Sequence, residues 1–186
     1  SAVGVAFAGN LVTLYLFYEM LSLSTYSLVT HHQDGAARSA GRKYLTYLMG
    51  TSIAFFLPAV ILTYLYTGTL DFSAQGILAG KASPAALTVL FLLFIAGIGK
   101  AVIMPIHSWL PSAMVAPTPV SALLHAVAVV KVGVFSVLRV CFHVFGIDLL
   151  HALSLDVVLL YLISVTIVTG SLFALRQDDL KARLAY

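Results

Sequence analysis

An all-α membrane protein, a transmembrane helix bundle of five full spans with one broken helix, is the fold class that three observations predict. Hydrophobic residues make up 61% of the 186-residue chain and charged residues 9%, against about 25% charged residues in a water-soluble domain. So few charges cannot coat a surface that faces water, and lipid is the solvent that fits. The apolar residues also fall into runs of spanning length, about 20 residues each, divided by polar turns. One run carries a lysine and then a proline, in "GKAVIMPIHSWLPSAM" (99–114).

The elements follow in order. Residues 1–8 read as the tail of a helix, and 9–30 form the first span. "HHQDGAARSAGRK" (31–43) is polar with two glycines and reads as a loop. Residues 44–67 form the second span. "GTLDFSAQGILAGKASP" (68–84) is glycine-rich and ends in a proline suited to a helix start. The third span covers 85–115 and is expected to break near 104–107. The fourth covers 118–142, with Thr118 as its N-cap and Pro119 at the first helical position. "GIDLLH" (146–151) is a short turn, and 153–175 form the fifth span. The whole chain is expected to be one transmembrane domain. It starts at Ser1 and stops at Tyr186 within what reads as a new amphipathic start, so a longer polypeptide is expected.

The basic residues orient these spans. Arg38, Arg42 and Lys43 lie in the 31–43 segment, and Arg176, Lys181 and Arg183 follow the fifth span. The 68–84 segment holds one cation, Lys81, and 146–151 holds no lysine or arginine. By the positive-inside rule both basic segments face the cytoplasm. That requires an even number of crossings between them, which holds if the broken segment crosses once.

Several function classes are excluded. The net charge of +3 is small and split into short clusters, without the basic stripe of a nucleic-acid binder. The single cysteine, Cys141, has no metal-ligand spacing around it and reads as a packing residue. There is no phosphate-cradling glycine loop and no dinucleotide fingerprint. No secretory leader is recognisable. No metal, cofactor or redox chemistry of its own is expected.

The informative residues are ionisable groups at membrane depth, which are functional by default. Glu19 is the first, the one formal charge between residues 1 and 33. A charge at mid-span costs about 3 kcal/mol on insertion scales. Tyr15, Ser22 and Tyr26 share its helical face, giving a polar stripe suited to protein or water. A proton site or the partner of a buried cation is the functional reading, and a protonated glutamate with a neighbouring hydrogen bond the bland one. Lys100 lies about sixteen residues into its helix, near mid-bilayer, too deep for its stem to carry the amine to the interface. Pro105 removes an N–H and disrupts packing against the Ala101 carbonyl. Irregular backbone at this depth is tolerated where it is buried in protein or lines a water cavity, and a broken helix end can hold a cation. His107, Trp109 and Pro111 read as the second half of the break. Lys131 is about thirteen residues into the fourth span, again near mid-membrane. His125 precedes it by six, not on one face; it reads as a proton relay or as a satisfied core histidine. Arg139 reads as an interfacial anchor, His31 and His32 as solvated loop residues, and Asp148, His151 and Asp156 as a polar outer turn.

"FYEMLSLSTYSLV", "GKAVIMPIHSWLPSAMVAPTPVSALLHAVAVVKVGVFSVLR" and the closing "DDLKARLAY" resemble the antiporter-like proton-conducting membrane subunits. That family includes membrane-arm subunits of complex I, membrane hydrogenase subunits, and large subunits of Mrp-type cation/proton antiporters. The wording looks closest to the D-type branch of the Mrp large subunits. The resemblance implies inverted repeats that each contain a broken helix, with this chain holding the end of helix four and helices five to nine, the first repeat. It implies that Glu19 pairs with Lys100 of the broken helix, that Lys131 passes protons toward the centre, and that His125 is a neighbouring relay. The second repeat's broken helix would lie beyond Tyr186.

The mechanism expected is electrostatic. Burial favours the neutral amine of Lys100, while a nearby carboxylate favours the ammonium. Changing the Glu19–Lys100 distance therefore decides whether Lys100 keeps its proton. A released proton would move through water and His125 to Lys131, the sites titrating as a coupled set. The expected function is proton translocation within a multisubunit monovalent cation/proton antiporter, in exchange for Na+ or K+. The alternative is a proton-pumping membrane subunit of an NADH-quinone oxidoreductase of the complex I kind or of a membrane-bound hydrogenase. A structural membrane scaffold is the third reading. Other membrane subunits, protons and the lipid bilayer are the expected partners, and the bacterial inner (cell) membrane the expected location.

Overall fold

The computed structural model describes residues 1–186 and holds helices and turns without a β-strand. We number its helices α1 (Ala2–Ala6), α2 (Leu11–Val29), α3 (Gly35–Thr67), α4 (Pro84–Gly97), α5 (Trp109–Ser112), α6 (Thr118–Phe145), α7 (Ile147–Ala152), α8 (Leu155–Leu175) and α9 (Leu180–Ala185). By length and composition α3, α6 and α8 can each cross a membrane. Helix α2 has the length, 19 residues, but its polar stripe lowers its hydropathy. Helix α4 is a shorter apolar helix that runs into the break.

Several boundaries depart from the sequence reading, each for a local reason. The 31–43 loop is mostly helix, because Asp34 caps α3 by accepting from Ala37 N at 2.6 Å. Ala37, Ala40 and Gly41 are buried there, so the segment that looked polar packs one small-residue face. Helix α6 begins at Thr118 itself, Pro117 holds the N-cap position, and the Thr118 side chain makes no cap hydrogen bond. The 146–151 turn is helical as α7.

The break in the third span comes earlier than Pro105. Helix α4 ends at Gly97, Ile98 leaves helical geometry, a 3₁₀ turn covers Gly99–Ala101, and Val102 is left-handed at φ 59°. Two glycines weaken the helix there before the proline is reached. Both also permit close approach: a Cβ on Gly97 would meet the Phe56 backbone.

Two long helices contain π-helical segments that periodicity does not announce. In α3 it spans Ser52–Phe56 and ends two residues before Pro58. Proline has no N–H for the carbonyl four residues back, and the wider turn absorbs that mismatch. In α6 there are two, Leu123–Val127 and Val140–Phe145.

One continuous core joins α2, α3, α4 and α6, with Tyr18, Phe56, Phe91, Phe94, Trp109 and Phe145 among its largest fully buried side chains. Phe56 receives edge-to-face contacts from Tyr15, Tyr18 and Phe94. Helix α8 is different: Leu155 and Gly170 are its buried residues. Leu159 and Leu162 pack partly against the core, while much of its other apolar surface, including Tyr161 and Leu175, is exposed, as a lipid-facing or subunit-facing helix requires.

At one end of the bundle the 68–83 segment ties the helices together. Leu11 N donates to Leu70 O at 2.9 Å, and Ile77 N to Val144 O at 2.9 Å. Arg139 donates to Ala6 O and Ala8 O and lies over the Phe72 ring. It ties α6 to the connection between α1 and α2 and to the 68–83 segment.

Candidate functional site

Lys100 sits inside the break and is fully buried. A buried ammonium must find acceptors for its donors. Its Nζ donates to the carbonyl of Tyr18 at 2.9 Å and to the hydroxyl of Ser22 at 2.7 Å. The centre of the Tyr18 ring lies 3.2 Å from Nζ, a cation–π contact in a desolvated place. The Lys100 backbone N also donates to Tyr18 Oη at 3.2 Å. Tyr18 and Ser22 are four apart on α2 and share one face. Helix α2 thus offers the lysine a carbonyl, a ring and a hydroxyl together.

The break is held from the other sides as well. Trp109 Nε1 donates to Gly99 O at 3.2 Å, a second donor to a carbonyl that also accepts from Val102 N in the 3₁₀ turn. The Trp109 ring meets Tyr44 edge-on, and Tyr44 Oη shares a 2.6 Å hydrogen bond with Thr25. Gly133 of α6 lets the Lys100–Ala101 backbone lie directly against that helix. Met104 N donates to Thr166 Oγ1 at 3.2 Å, joining the break to α8.

Glu19 follows Tyr18 in the chain, and its two carboxylate oxygens are buried without a hydrogen-bond partner from the chain. Glu19 also stands three before Ser22, and Tyr18 and Ser22 are the two residues that hold the Lys100 amine. The carboxylate and the amine share one neighbourhood but form no ion pair, since the chain's one ion pair is His151–Asp156.

The other candidates are elsewhere. His125 is half-buried in the π segment of α6, with Nε2 3.3 Å from Met114 Sδ. It lines a cavity of about 280 Å³ with Met114, Thr118, Ser121 and Lys181. Lys131 is exposed, away from the α6 face that carries Val132 and Gly133, and makes no hydrogen bond. The structure therefore gathers Glu19 and Lys100 and leaves His125 and Lys131 apart from them. Pro105 is exposed in the loop after the break. His107 stacks on Phe173 at 5.9 Å and touches Tyr186, holding the loop to α8 and the C-terminal segment. His31 and His32 are exposed, as expected. No group of His, Cys, Asp and Glu is placed to hold a metal.

Sequence reasoning found the lysine and missed its main partner. Tyr18 contributes through its carbonyl and ring face, neither of which marks it as chemical. The available signal was its spacing, four residues before Ser22.

Residues 8–186 match the family described as the NADH:quinone oxidoreductase/Mrp antiporter transmembrane family. The chain belongs to that family. Among similar proteins is the putative antiporter subunit mnhA2 of Staphylococcus epidermidis, 32% identical over all of this chain and 23% of its own length. The probable K(+)/H(+) antiporter A/B subunit of Rhizobium meliloti is 36% identical, over 100% of this chain and 18% of its own. The chloroplastic NAD(P)H-quinone oxidoreductase subunit 5 of Brachypodium distachyon is 32% identical, over 100% and 25%. These names do not carry the expected closeness to the D-type branch.

Two solved structures are similar to this member of the NADH:quinone oxidoreductase/Mrp antiporter family. One is the membrane-bound sulfane sulfur reductase, an archaeal respiratory membrane complex, with TM-score 0.84 and 33% identity over 100% of this chain and 38% of that one. The other is the Mrp complex from Dietzia sp. DQ12-45-1b, with TM-score 0.83 and 31% identity over 99% and 20%. The antiporter-like membrane fold is thereby established. The chain spans 18–25% of the length of these curated relatives.

Proposed function

We propose that this chain is a lysine-bearing part of a proton-translocating subunit in a multisubunit monovalent cation/proton antiporter. The observation that carries the reading is Lys100: a fully buried amine in a helix break, beside a buried carboxylate without a partner from the chain. A structural lysine needs neither the break nor the free carboxylate. A proton site benefits from both, because the amine can exchange its proton as the distance to Glu19 changes. Curated relatives named as antiporter subunits support the same reading. His125 and Lys131 extend the route in the intact protein, with the family's second repeat supplying the other half. Pro105 and His107 shape the loop that closes the break. Exchange is with Na+ or K+, other membrane subunits complete the complex, and the bacterial cell membrane is its place.

The test is transport by the intact subunit in its complex. Lys100→Ala is expected to abolish ion-driven proton exchange in vesicles, while Glu19→Gln lowers it strongly. Unchanged antiport in Lys100→Ala removes this residue from the mechanism. If replacing Glu19 and Lys131 by apolar residues leaves transport intact, the scaffold reading wins.

A redox-driven proton pump is the second reading, favoured by the fold shared with an archaeal respiratory complex and by relatives named quinone oxidoreductase subunits. Neighbouring genes separate the two. Small antiporter subunits favour the first, and iron–sulfur or flavin subunits the second.

A further inference from the structure

We propose that Tyr18 and Ser22 form a holding position for the Lys100 ammonium, alternative to Glu19, so that the lysine has two partners on one helix and moves between them. This rests on the proton-translocation reading above and adds positioning residues to it. Three contacts define the holding position: Nζ to Tyr18 O at 2.9 Å, Nζ to Ser22 Oγ at 2.7 Å, and Nζ 3.2 Å from the Tyr18 ring centre. The second position is the Glu19 carboxylate, whose oxygens are buried and take no hydrogen bond from the chain. Glu19 and Ser22 are three apart on α2, and side chains at that spacing are neighbours on a helix surface. A shift of the amine across one helical neighbour exchanges a neutral hydroxyl for a carboxylate.

The arrangement is suited to a switch because neither position is complete. At Tyr18 and Ser22 the ammonium has good hydrogen bonds but no counter-charge. At Glu19 it has the counter-charge but gives up the ring and the hydroxyl. A two-state element works when its alternatives differ by a modest free energy that a third event can bias. The break supplies the freedom, since Lys100 lies in a 3₁₀ turn rather than a continuous helix. Tyr18 Oη, bonded to the Lys100 backbone, keeps the turn registered against α2.

Ser22→Ala removes one acceptor and leaves the ring, the Tyr18 carbonyl and Glu19. The amine then settles on Glu19 and exchange slows about tenfold, the scale of one hydrogen bond to a charged group. Ser22→Thr returns the hydroxyl and restores the rate to within about threefold. Tyr18→Phe keeps ring and carbonyl but loses the hydroxyl that accepts from the Lys100 backbone, so it slows exchange, though less than Tyr18→Leu, which also removes the ring and slows exchange at least as much as Ser22→Ala.

A structure of the intact complex carrying Ser22→Ala gives a readout independent of transport. Lys100 Nζ is expected within ion-pair distance of a Glu19 oxygen. Nζ remaining on Tyr18 O, together with an unchanged rate, overturns the holding position. Loss of transport in Lys100→Ala alongside a native Ser22→Ala sinks this proposal alone. Native transport in Lys100→Ala sinks the translocation reading beneath it. Should Ser22→Thr fail to pack at this buried position, the Tyr18→Phe and Tyr18→Leu pair decides: equal rates overturn the ring's part.

Discussion

At the scale of single residues, the decisive quantity is what a buried polar group finds when it leaves water. Trp109 shows the rule outside the lysine. Its indole N–H reaches Gly99 O at 3.2 Å, and Trp109→Phe keeps an aromatic ring against Tyr44 while removing the donor. Gly99 O then keeps the bond from Val102 N at 3.2 Å alone, and about 0.5–1.5 kcal/mol of stability, the net worth of one hydrogen bond, should be lost. A lower melting temperature of the purified complex would show it, and an unchanged one would mean that solvent reaches Gly99. His151 lies on the outer turn, fully exposed, and its hydrogen bond to Asp156 at 3.0 Å raises its pKa above the usual histidine value. The associated stabilisation is present at low pH and fades as pH rises through the raised value, and exposure keeps it small. Asp156→Asn should bring the His151 NMR titration midpoint down toward that of a solvated histidine; a midpoint that stays put removes the pairing. Buried ionisables were legible in the sequence because an apolar run makes any charge conspicuous. Tyr18 was not, because a backbone carbonyl and a ring face carry no such contrast.

At the scale of elements, composition reveals where apolar helices run but not where they stop. Asp34 looks like loop and acts as a cap, so nine residues of an expected turn belong to α3. Pro105 draws attention as a breaker, yet Gly97 and Gly99 end the helix first. The break itself depends on small residues in its neighbours. A Cβ at Gly133 would run into the Lys100 carbonyl carbon and the Ala101 amide, both backbone atoms, whereas one at Gly50 meets nothing within 4 Å. Gly133→Ala should therefore destabilise the complex by about 1–3 kcal/mol and displace the lysine turn. Gly50→Ala, in an exposed stretch of α3, should be neutral or stabilise by about 0.5–1 kcal/mol through helix propensity. Thermal stability of the two variants side by side checks the pair. Equal responses would mean that the turn and α6 are not in register as described.

At the scale of the whole molecule, the two basic segments lie at the same end of the bundle. The first half of α3 reaches the far side of the break through Tyr44 and Trp109. The C-terminal segment reaches the same region, with Lys181 Nζ donating to Ala116 O at 3.5 Å and Tyr186 against His107. The 68–83 segment, the end of α6 and the start of α2 meet at the opposite end, through Leu70, Ile77 and Val144. That geometry agrees with an even number of crossings between the basic segments, which the charge pattern demands if both are cytoplasmic. On that geometry the broken segment is expected to cross the membrane rather than re-enter it. Single cysteines test this in a cysteine-free background of the intact subunit, in which Cys141, buried and the one thiol among these 186 residues, is replaced by Ala. Gln33, Ala74, Asp148 and Asp178 are exposed positions. Cysteines at 33 and 178 should react with an impermeant maleimide added to inside-out vesicles, and those at 74 and 148 with reagent added to intact cells. If 33 and 178 label from opposite faces, the segment between α4 and α6 does not cross. Lys100 would then open to one side of the membrane alone, and an alternating proton route through it could not operate.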